Sequence, residues 1–230
     1  MTLRLAIPSK GRLQARCIDW FAQRGVAIAL TGHAREYAGR VDGVDGLELV
    51  LLPPAEIVHE LAAGRVDLGV TGLDLVQEAF PDWQDHLRAL AQLGFGEADL
   101  VLAVPAFWVD VLRVADLDAV AAAFRQRHGT PLRIATKYRR LVHRFLQARG
   151  IADYRIVESQ GATEGTVKNR TAELIADITS TGETLRANHL KMLEDGLILS
   201  SQAGLFASRS TLAQRSDAFE RFCRFLELQG

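Results

Sequence analysis

The sequence predicts an α/β protein whose strands pair mainly in parallel. Two observations carry that expectation. Short apolar runs alternate with helix-period segments from one end of the chain to the other. The 230 residues, 48% of them hydrophobic, are enough to bury one large core or two small ones.

Residues 3–7 read as a short apolar strand, and residues 13–23 as a helix closed by Gly25. Residues 47–52 form a strand, 55–63 a helix ended by Gly64, and 67–71 a strand feeding a helix from Leu73. The glycine pair in Gln92-Leu93-Gly94-Phe95-Gly96 marks the best domain boundary. Beyond it, residues 99–104 are a strand stopped by Pro105, and residues 116–127 a helix with His128-Gly129 as its stop. Residues 132–136 are a strand, 138–149 a helix capped by Gly150, and 154–157 another strand. An apolar run then ends on Asp177, with a loop and a short helix behind it. The apolar strand 197–200, one further strand-like stretch and an amphipathic helix near 212–228 complete the chain. Phe219, Phe222, Phe225 and Leu226 on that last helix suit either core or an assembly surface, with core favoured.

Composition narrows the function classes. The net charge of −1 gives the molecule no strong pull on nucleic acid. No apolar run approaches the roughly 20 residues of a membrane span, and no signal-peptide core is present, so a soluble cytoplasmic protein is expected. Cys17 and Cys223 lie in amphipathic stretches and suggest plain core residues, not a disulfide framework. Trp20, Trp83 and Trp108 read as packing residues, and His33, His86, His128 and His143 as surface residues. Gly94-Phe95-Gly96 precedes a strand and lacks the third glycine of a dinucleotide fingerprint. His59-Glu60 opens like a zinc-protease helix, but Ala63 occupies the second ligand position.

Charge is unevenly spread. Residues 1–18 carry Arg4, Lys10, Arg12 and Arg16 with no acid, and residues 133–150 carry six cations with none. The chemistry is expected at strand ends, where open α/β sheets bind ligands. The stretch Asp177-Ile178-Thr179-Ser180-Thr181-Gly182-Glu183-Thr184 is the most informative. Hydroxyls and unpaired N–H groups of such a turn suit a phosphate dianion, Gly182 allows close approach or positive φ, and Asp177 is placed to hold ribose hydroxyls. Pro8-Ser9-Lys10-Gly11-Arg12 is a second turn, glycine-containing and with two cations, suited to pyrophosphate or triphosphate. The turns at Thr71-Gly72-Leu73-Asp74 and Thr136-Lys137-Tyr138 are a third and fourth. Four such ends point to a large polyanionic ligand or a pair of them.

These residues carry a family resemblance. Ile175, Asp177, Ile178, Thr181, Gly182, Thr184 and Leu185 fit the pattern I-x-D-[LIV]-x-x-[ST]-G-x-T-[LM], and L-x-L-A-I-P-S-K-G-R-L, D-L-G-V-T-G-x-D, I-A-T-K-Y and V-E-S-x-G-A-T-E-G occur in order elsewhere. The chain resembles ATP phosphoribosyltransferase, the first enzyme of histidine biosynthesis, in its short form. The resemblance implies two α/β domains with a cleft between them, periplasmic-binding-protein-like (type II). Domain I would be residues 1–93 and 184–230, and domain II residues 94–183. The 177–184 loop would bind the ribose 5-phosphate of phosphoribosyl pyrophosphate. Ser9, Lys10, Gly11, Arg12 and Arg35 would face pyrophosphate or triphosphate, with Lys10 and Arg35 as the catalytic cations. Gly72, Asp74, Lys137 and Glu164 would be further cleft residues. Mg²⁺ would be carried mainly by substrate phosphates, with no protein metal site. The implied partner is a regulatory subunit resembling a histidyl-tRNA synthetase, with a homodimer of this chain inside a hetero-oligomer.

Three departures from the family pattern stand out. Arg170 replaces a common glycine, which predicts rearrangement before the last signature strand. Pro53-Pro54-Ala55-Glu56 stands where arginine and aspartate are usual, and Leu73 replaces a polar residue. The alternatives are an anion-binding protein of the same fold, a non-catalytic paralogue, and a phosphoribosyltransferase acting on a nucleobase.

Overall fold

The computed structural model describes residues 2–30, 38–159, 161–212 and 216–228. The chain divides into two units, Met1–Glu97 with Gln202–Gly230, and Ala98–Ser201.

The first unit opens with β1 (Leu3–Pro8), α1 (Gly11–Ala22), β2 (Ala27–Leu30), β3 (Ala38–Asp42) and β4 (Leu47–Leu52). It continues through α2 (Pro54–Ala62), β5 (Leu68–Gly72), α3 (Leu73–Ala79), α4 (Trp83–His86) and β6 (Leu87–Gln92). The second unit holds β7 (Ala98–Pro105), α5 (Asp116–His128), β8 (Leu132–Thr136), α6 (Arg139–Ala148), β9 (Tyr154–Glu158), α7 (Gly165–Lys168), β10 (Leu174–Thr179), α8 (Glu183–Ala187) and β11 (Leu190–Ser201). The chain then returns to the first unit as β12 (Ala203–Ser208), α9 (Arg209–Leu212) and α10 (Ser216–Phe225).

The first sheet has the order β2-β3-β4-β1-β5-β12-β6. Its central strand β1 runs parallel to β4 on one side and β5 on the other. Side chains of β1 alternate between faces, as strand geometry requires. Leu3, Leu5 and Ile7 join a core cluster with Cys17, Trp20 and Phe21 of α1 and Phe219 and Phe222 of α10. Ala6 belongs to the opposite cluster, with Ile57, Val58 and Leu61 of α2 and Val76 of α3. Burial on both faces explains why β1 reads as an apolar run broken only by the half-buried Arg4. Leu5 and Ile7 are fully buried, which contributes roughly 1.5–3 kcal/mol for each side chain.

The second sheet has the order β11-β7-β10-β8-β9. Here β8 is parallel to both β10 and β9, while β7 lies antiparallel to β10 and to β11. Arg133 of β8 is clipped to Glu173 just before β10. The Arg133 backbone N–H donates to Glu173 Oε2 at 2.8 Å, and its Nε donates to Oε1 at 3.2 Å.

Two expectations need correction. Parallel pairing is confined to β4-β1-β5 and β10-β8-β9, and the other pairings among described residues are antiparallel. Both sheets are therefore mixed. Residues 43–46 alone join β3 to β4, too few for a parallel crossover, which needs a dozen or more. The unit boundaries also differ from those expected at residues 93/94 and 183/184: the crossings fall after Glu97 and after Ser201. The second difference arises because β11 pairs along β7, from Leu190 opposite Pro105 to Ser201 opposite Ala98, and so carries residues 190–201 with the second sheet.

Cys17 and Cys223 are buried free thiols. Burial pushes both thiols above their ordinary pKa. On the last helix Phe219, Phe222 and Leu226 are core, whereas Phe225 is 44% exposed. Trp20 is buried, and Trp83 packs edge-on against Phe206 with ring centroids 5.9 Å apart. His33 lies outside the described residues. Among the described residues no helix is long and apolar enough to cross a membrane.

Candidate active site

Within the first unit, parallel pairing brings three loops to one sheet edge. They follow β1, β4 and β5, at the point where the chain crosses from one side of β1 to the other through α2. Such a topological switch is where open α/β sheets bind ligands, because loops on either side of the crossing leave a crevice. The loop after β1 holds Ser9, Lys10, Gly11 and Arg12. The Ser9 N–H donates to the Leu52 carbonyl at 2.9 Å, tying this loop to the end of β4. Lys10 is extended at φ −165°, with no side-chain cap to α1, and Gly11 turns the chain at φ +81°. A Cβ on Gly11 would meet nothing within 4 Å, so conformation and not space calls for glycine here. Lys10, Gly11 and Arg12 are exposed and Ser9 half-buried.

After β4, Pro54 occupies the first turn of α2, where a missing N–H costs no helix bond. Thr71 Oγ1 donates to the Pro54 carbonyl at 2.8 Å, joining the end of β5 to the start of α2. Pro54 is thus built into the edge. Gly72 precedes α3, and Asp74 lies buried in that helix's first turn.

The second unit repeats this arrangement around β8. The loops after β8, β9 and β10 share an edge, and the Ser159 N–H donates to the Thr136 carbonyl at 3.2 Å. Lys137 is exposed, its Nζ 4.8 Å from the Tyr138 ring centroid. Thr136 Oγ1 accepts the Tyr138 N–H at 2.9 Å, and Tyr138 is buried. Glu164 stands just before α7, with no side-chain capping hydrogen bond, next to a buried hydroxyl pair in which Ser159 Oγ donates to Thr163 Oγ1 at 3.2 Å.

The loop after β10 is braced by its own side chains. Asp177 is half-buried, and its Oδ1 accepts the Ile178 N–H at 2.8 Å. Thr179 Oγ1 accepts from the Gly182 N–H at 2.9 Å, and Thr181 Oγ1 from the Glu183 N–H at 3.3 Å. Two N–H groups expected to be free are therefore held by hydroxyls, while each hydroxyl keeps its own hydrogen to donate. Gly182 takes φ +71°, and a Cβ there would lie 3.0 Å from Arg186 Nη1. Ser180, Thr181, Glu183 and Thr184 are exposed.

Ser9–Arg12, Gly72 and Asp74 thus gather on the first unit, and Lys137, Glu164 and the 177–184 loop on the second. Arg35 lies outside the described residues. Sequence reasoning missed Thr71 as a tie to α2, and it gave Arg186 no role. The one signal for Arg186 was its position four residues after Gly182, which a single helical turn brings back over the loop. Arg170 holds a surprise of another kind. It sits at φ +57°, so the backbone keeps a conformation that favours glycine without glycine.

A family model described as HisG, ATP phosphoribosyltransferase, matches residues 53–228. An ATP phosphoribosyltransferase of Cereibacter sphaeroides is 66% identical over 209 residues, covering 91% of this chain and 89% of that protein. The chain belongs to the ATP phosphoribosyltransferase family. Its activity is that of a glycosyltransferase, ATP phosphoribosyl transfer, the first step of histidine biosynthesis. Among solved structures, a chain of the ATP phosphoribosyl transferase (HisG:HisZ) complex from Thermotoga maritima aligns with a TM-score of 0.73 at 22% identity, covering 98% of this chain and 96% of that one. The alkanesulfonate-binding protein SsuA from Xanthomonas axonopodis aligns with a TM-score of 0.52 at 16% identity, covering 98% of this chain and 71% of that one. These likenesses give the ATP phosphoribosyltransferase chain a periplasmic-binding-protein-like fold, as the sequence resemblance implies.

Proposed function

We propose that the two strand-edge constellations divide the substrates of ATP phosphoribosyl transfer between them. The 177–184 loop takes the ribose 5-phosphate of phosphoribosyl pyrophosphate, with Asp177 accepting from ribose hydroxyls and Thr179, Ser180 and Thr181 donating to the phosphate. Ser9, Lys10, Gly11, Arg12 and Arg35 take pyrophosphate or triphosphate, with Gly72 and Asp74 as further substrate-binding residues on the first unit and Lys137 and Glu164 on the second. The observation that carries this reading is the repeated topology. Each unit has a three-strand parallel core with a polar loop at its switch point, and each loop is suited to phosphate.

The reaction asks little of an acid or base. Adenine N1 has a free lone pair at neutral pH; it forms a bond to ribose C1 while the C1–oxygen bond breaks and its electron pair leaves with pyrophosphate. The harder task is to stabilise that leaving charge. Lys10 and Arg35 supply positive charge for that leaving group. Mg²⁺, entering with the substrate phosphates, would neutralise part of the same charge. Among the described residues no group of three or more His, Cys, Asp or Glu would hold such an ion without substrate. The half-buried Asp177 carboxylate is an oxygen donor of the hard kind that it accepts.

The solved Thermotoga maritima relative is a HisG:HisZ complex. By analogy this chain works in the cytoplasm as a homodimer within a hetero-oligomer, beside a regulatory subunit resembling a histidyl-tRNA synthetase. The test is to mix the purified chain with ATP, phosphoribosyl pyrophosphate and Mg²⁺ and follow pyrophosphate. Release is expected only with both substrates and the metal. Equal turnover with free adenine in place of ATP would overturn the assignment of the first unit's loop to triphosphate.

A further inference from the structure

We infer that Arg186 is a positioning residue for the phosphoribosyl pyrophosphate loop, an inference that rests on the placement of ribose 5-phosphate at residues 177–184. Arg186 lies on α8, and its side chain turns back over the loop that precedes the helix. Its Nη2 donates to the Thr181 carbonyl at 3.1 Å. Its Nη1 stands against Gly182, 3.0 Å from where a Cβ would be. The Arg186 backbone N–H also donates to the Gly182 carbonyl at 3.0 Å. Arg186 thus bonds the carbonyls of the two successive peptides that flank the positive-φ Gly182, the first with its guanidinium and the second with its backbone N–H.

The consequence is geometric. Thr179 and Thr181 accept the N–H groups of Gly182 and Glu183, so the direction in which their own hydroxyl hydrogens point depends on where those amides sit. A loop whose Thr181–Gly182 peptide is free to rotate presents these hydroxyls in several directions and loses entropy when phosphate selects one. The guanidinium removes that freedom beforehand. It can do so because its planar fork reaches a carbonyl with one nitrogen while the other packs on the glycine. An ammonium has no second nitrogen for that contact.

The experiment compares Arg186→Ala and Arg186→Lys with the unaltered chain and with Asp177→Asn, varying each substrate in the pyrophosphate assay. Loss of one neutral-acceptor hydrogen bond predicts a rise in KM for phosphoribosyl pyrophosphate of about two- to tenfold in Arg186→Ala. KM for ATP and kcat should change less than that. Arg186→Lys should be as impaired as Arg186→Ala, and the defect should persist in high salt, because it comes from geometry and not from long-range charge. Recovery in Arg186→Lys would overturn the inference in favour of a simple charge effect. A parallel fall in every parameter would overturn it in favour of general misfolding. Unchanged kinetics in both Arg186 variants, with Asp177→Asn still impaired, would overturn the role of Arg186 while leaving the loop in the site. Unchanged kinetics in all three would remove the loop itself.

Discussion

Gly182 and Arg170 both adopt positive φ, yet they respond to substitution in opposite ways. Gly182→Val meets two obstacles, the backbone conformation at φ +71° and the Arg186 guanidinium 3.0 Å away. It should lower kcat/KM for phosphoribosyl pyrophosphate by more than the loss of the Asp177 charge does, with the far-ultraviolet spectrum unchanged; steady-state kinetics checks this. Arg170 pays the left-handed penalty without glycine's freedom. Its N–H donates to the Val167 carbonyl at 3.1 Å and its carbonyl accepts from Arg133 at 2.9 Å, which keeps the turn in place. Arg170→Gly should therefore stabilise the protein by about 0.5–1 kcal/mol, read as a higher denaturant midpoint. The sequence comparison flagged this position for rearrangement, but a side-chain type does not report φ. The network that pins the turn involves Arg133, distant in the chain, and so was not legible. Asp177, Gly182 and the Ser9–Arg12 turn were legible because a strand ending in polar or small residues before a helix has a local signature. Thr71 and Arg186 were not, since their partners are set by how a turn or crossover closes.

At the level of elements, β8 is clipped to the start of β10 by Arg133 and Glu173. Glu173 accepts the Arg133 backbone N–H as well as its guanidinium, so one carboxylate satisfies a strand-end donor and a half-buried charge together. The Glu173 carboxylate raises the Arg133 pKa above its ordinary value, chiefly through the side-chain hydrogen bond. Glu173→Ala should cost about 1.5–3 kcal/mol of unfolding free energy, the range for hydrogen bonds to a charged group. Urea unfolding measures it, and a loss below a few tenths of a kcal/mol would show the clip to be dispensable. Strands with two buried faces, such as β1, β8 and β10, were readable as apolar runs. The short strands β2, at the sheet edge, and β3 beside it were missed. The pattern of β2, largely exposed, lacks the alternation that marks a half-buried strand. Missing them hid the antiparallel pairings of β2 with β3 and β3 with β4, while those through β7, β11 and β12 join apolar strands whose sequences carry no mark of direction.

For the whole molecule, family membership follows from the 66% identity over most of the chain, and regulation is open to a direct test. If histidine is sensed on a separate subunit, the purified chain alone should keep some activity and respond little to histidine. Adding the regulatory partner should raise the rate and bring inhibition with it. Full inhibition of the isolated chain would contradict that arrangement. The fold class was legible from alternation and from ordered motifs, but the return crossing was not, because β11 belongs to the second sheet through pairing with β7, not through any break in its own sequence. The most direct test of the account is a two-substrate kinetic comparison of Asp177→Asn with the unaltered chain, in Mg²⁺, following pyrophosphate. A carboxylate that accepts hydroxyl hydrogen bonds predicts a loss of about ten- to a hundredfold in kcat/KM for phosphoribosyl pyrophosphate, with a far smaller effect on ATP. An equal effect on both substrates, or none on phosphoribosyl pyrophosphate in a folded variant, would contradict the assignment of the second unit's loop to the ribose phosphate.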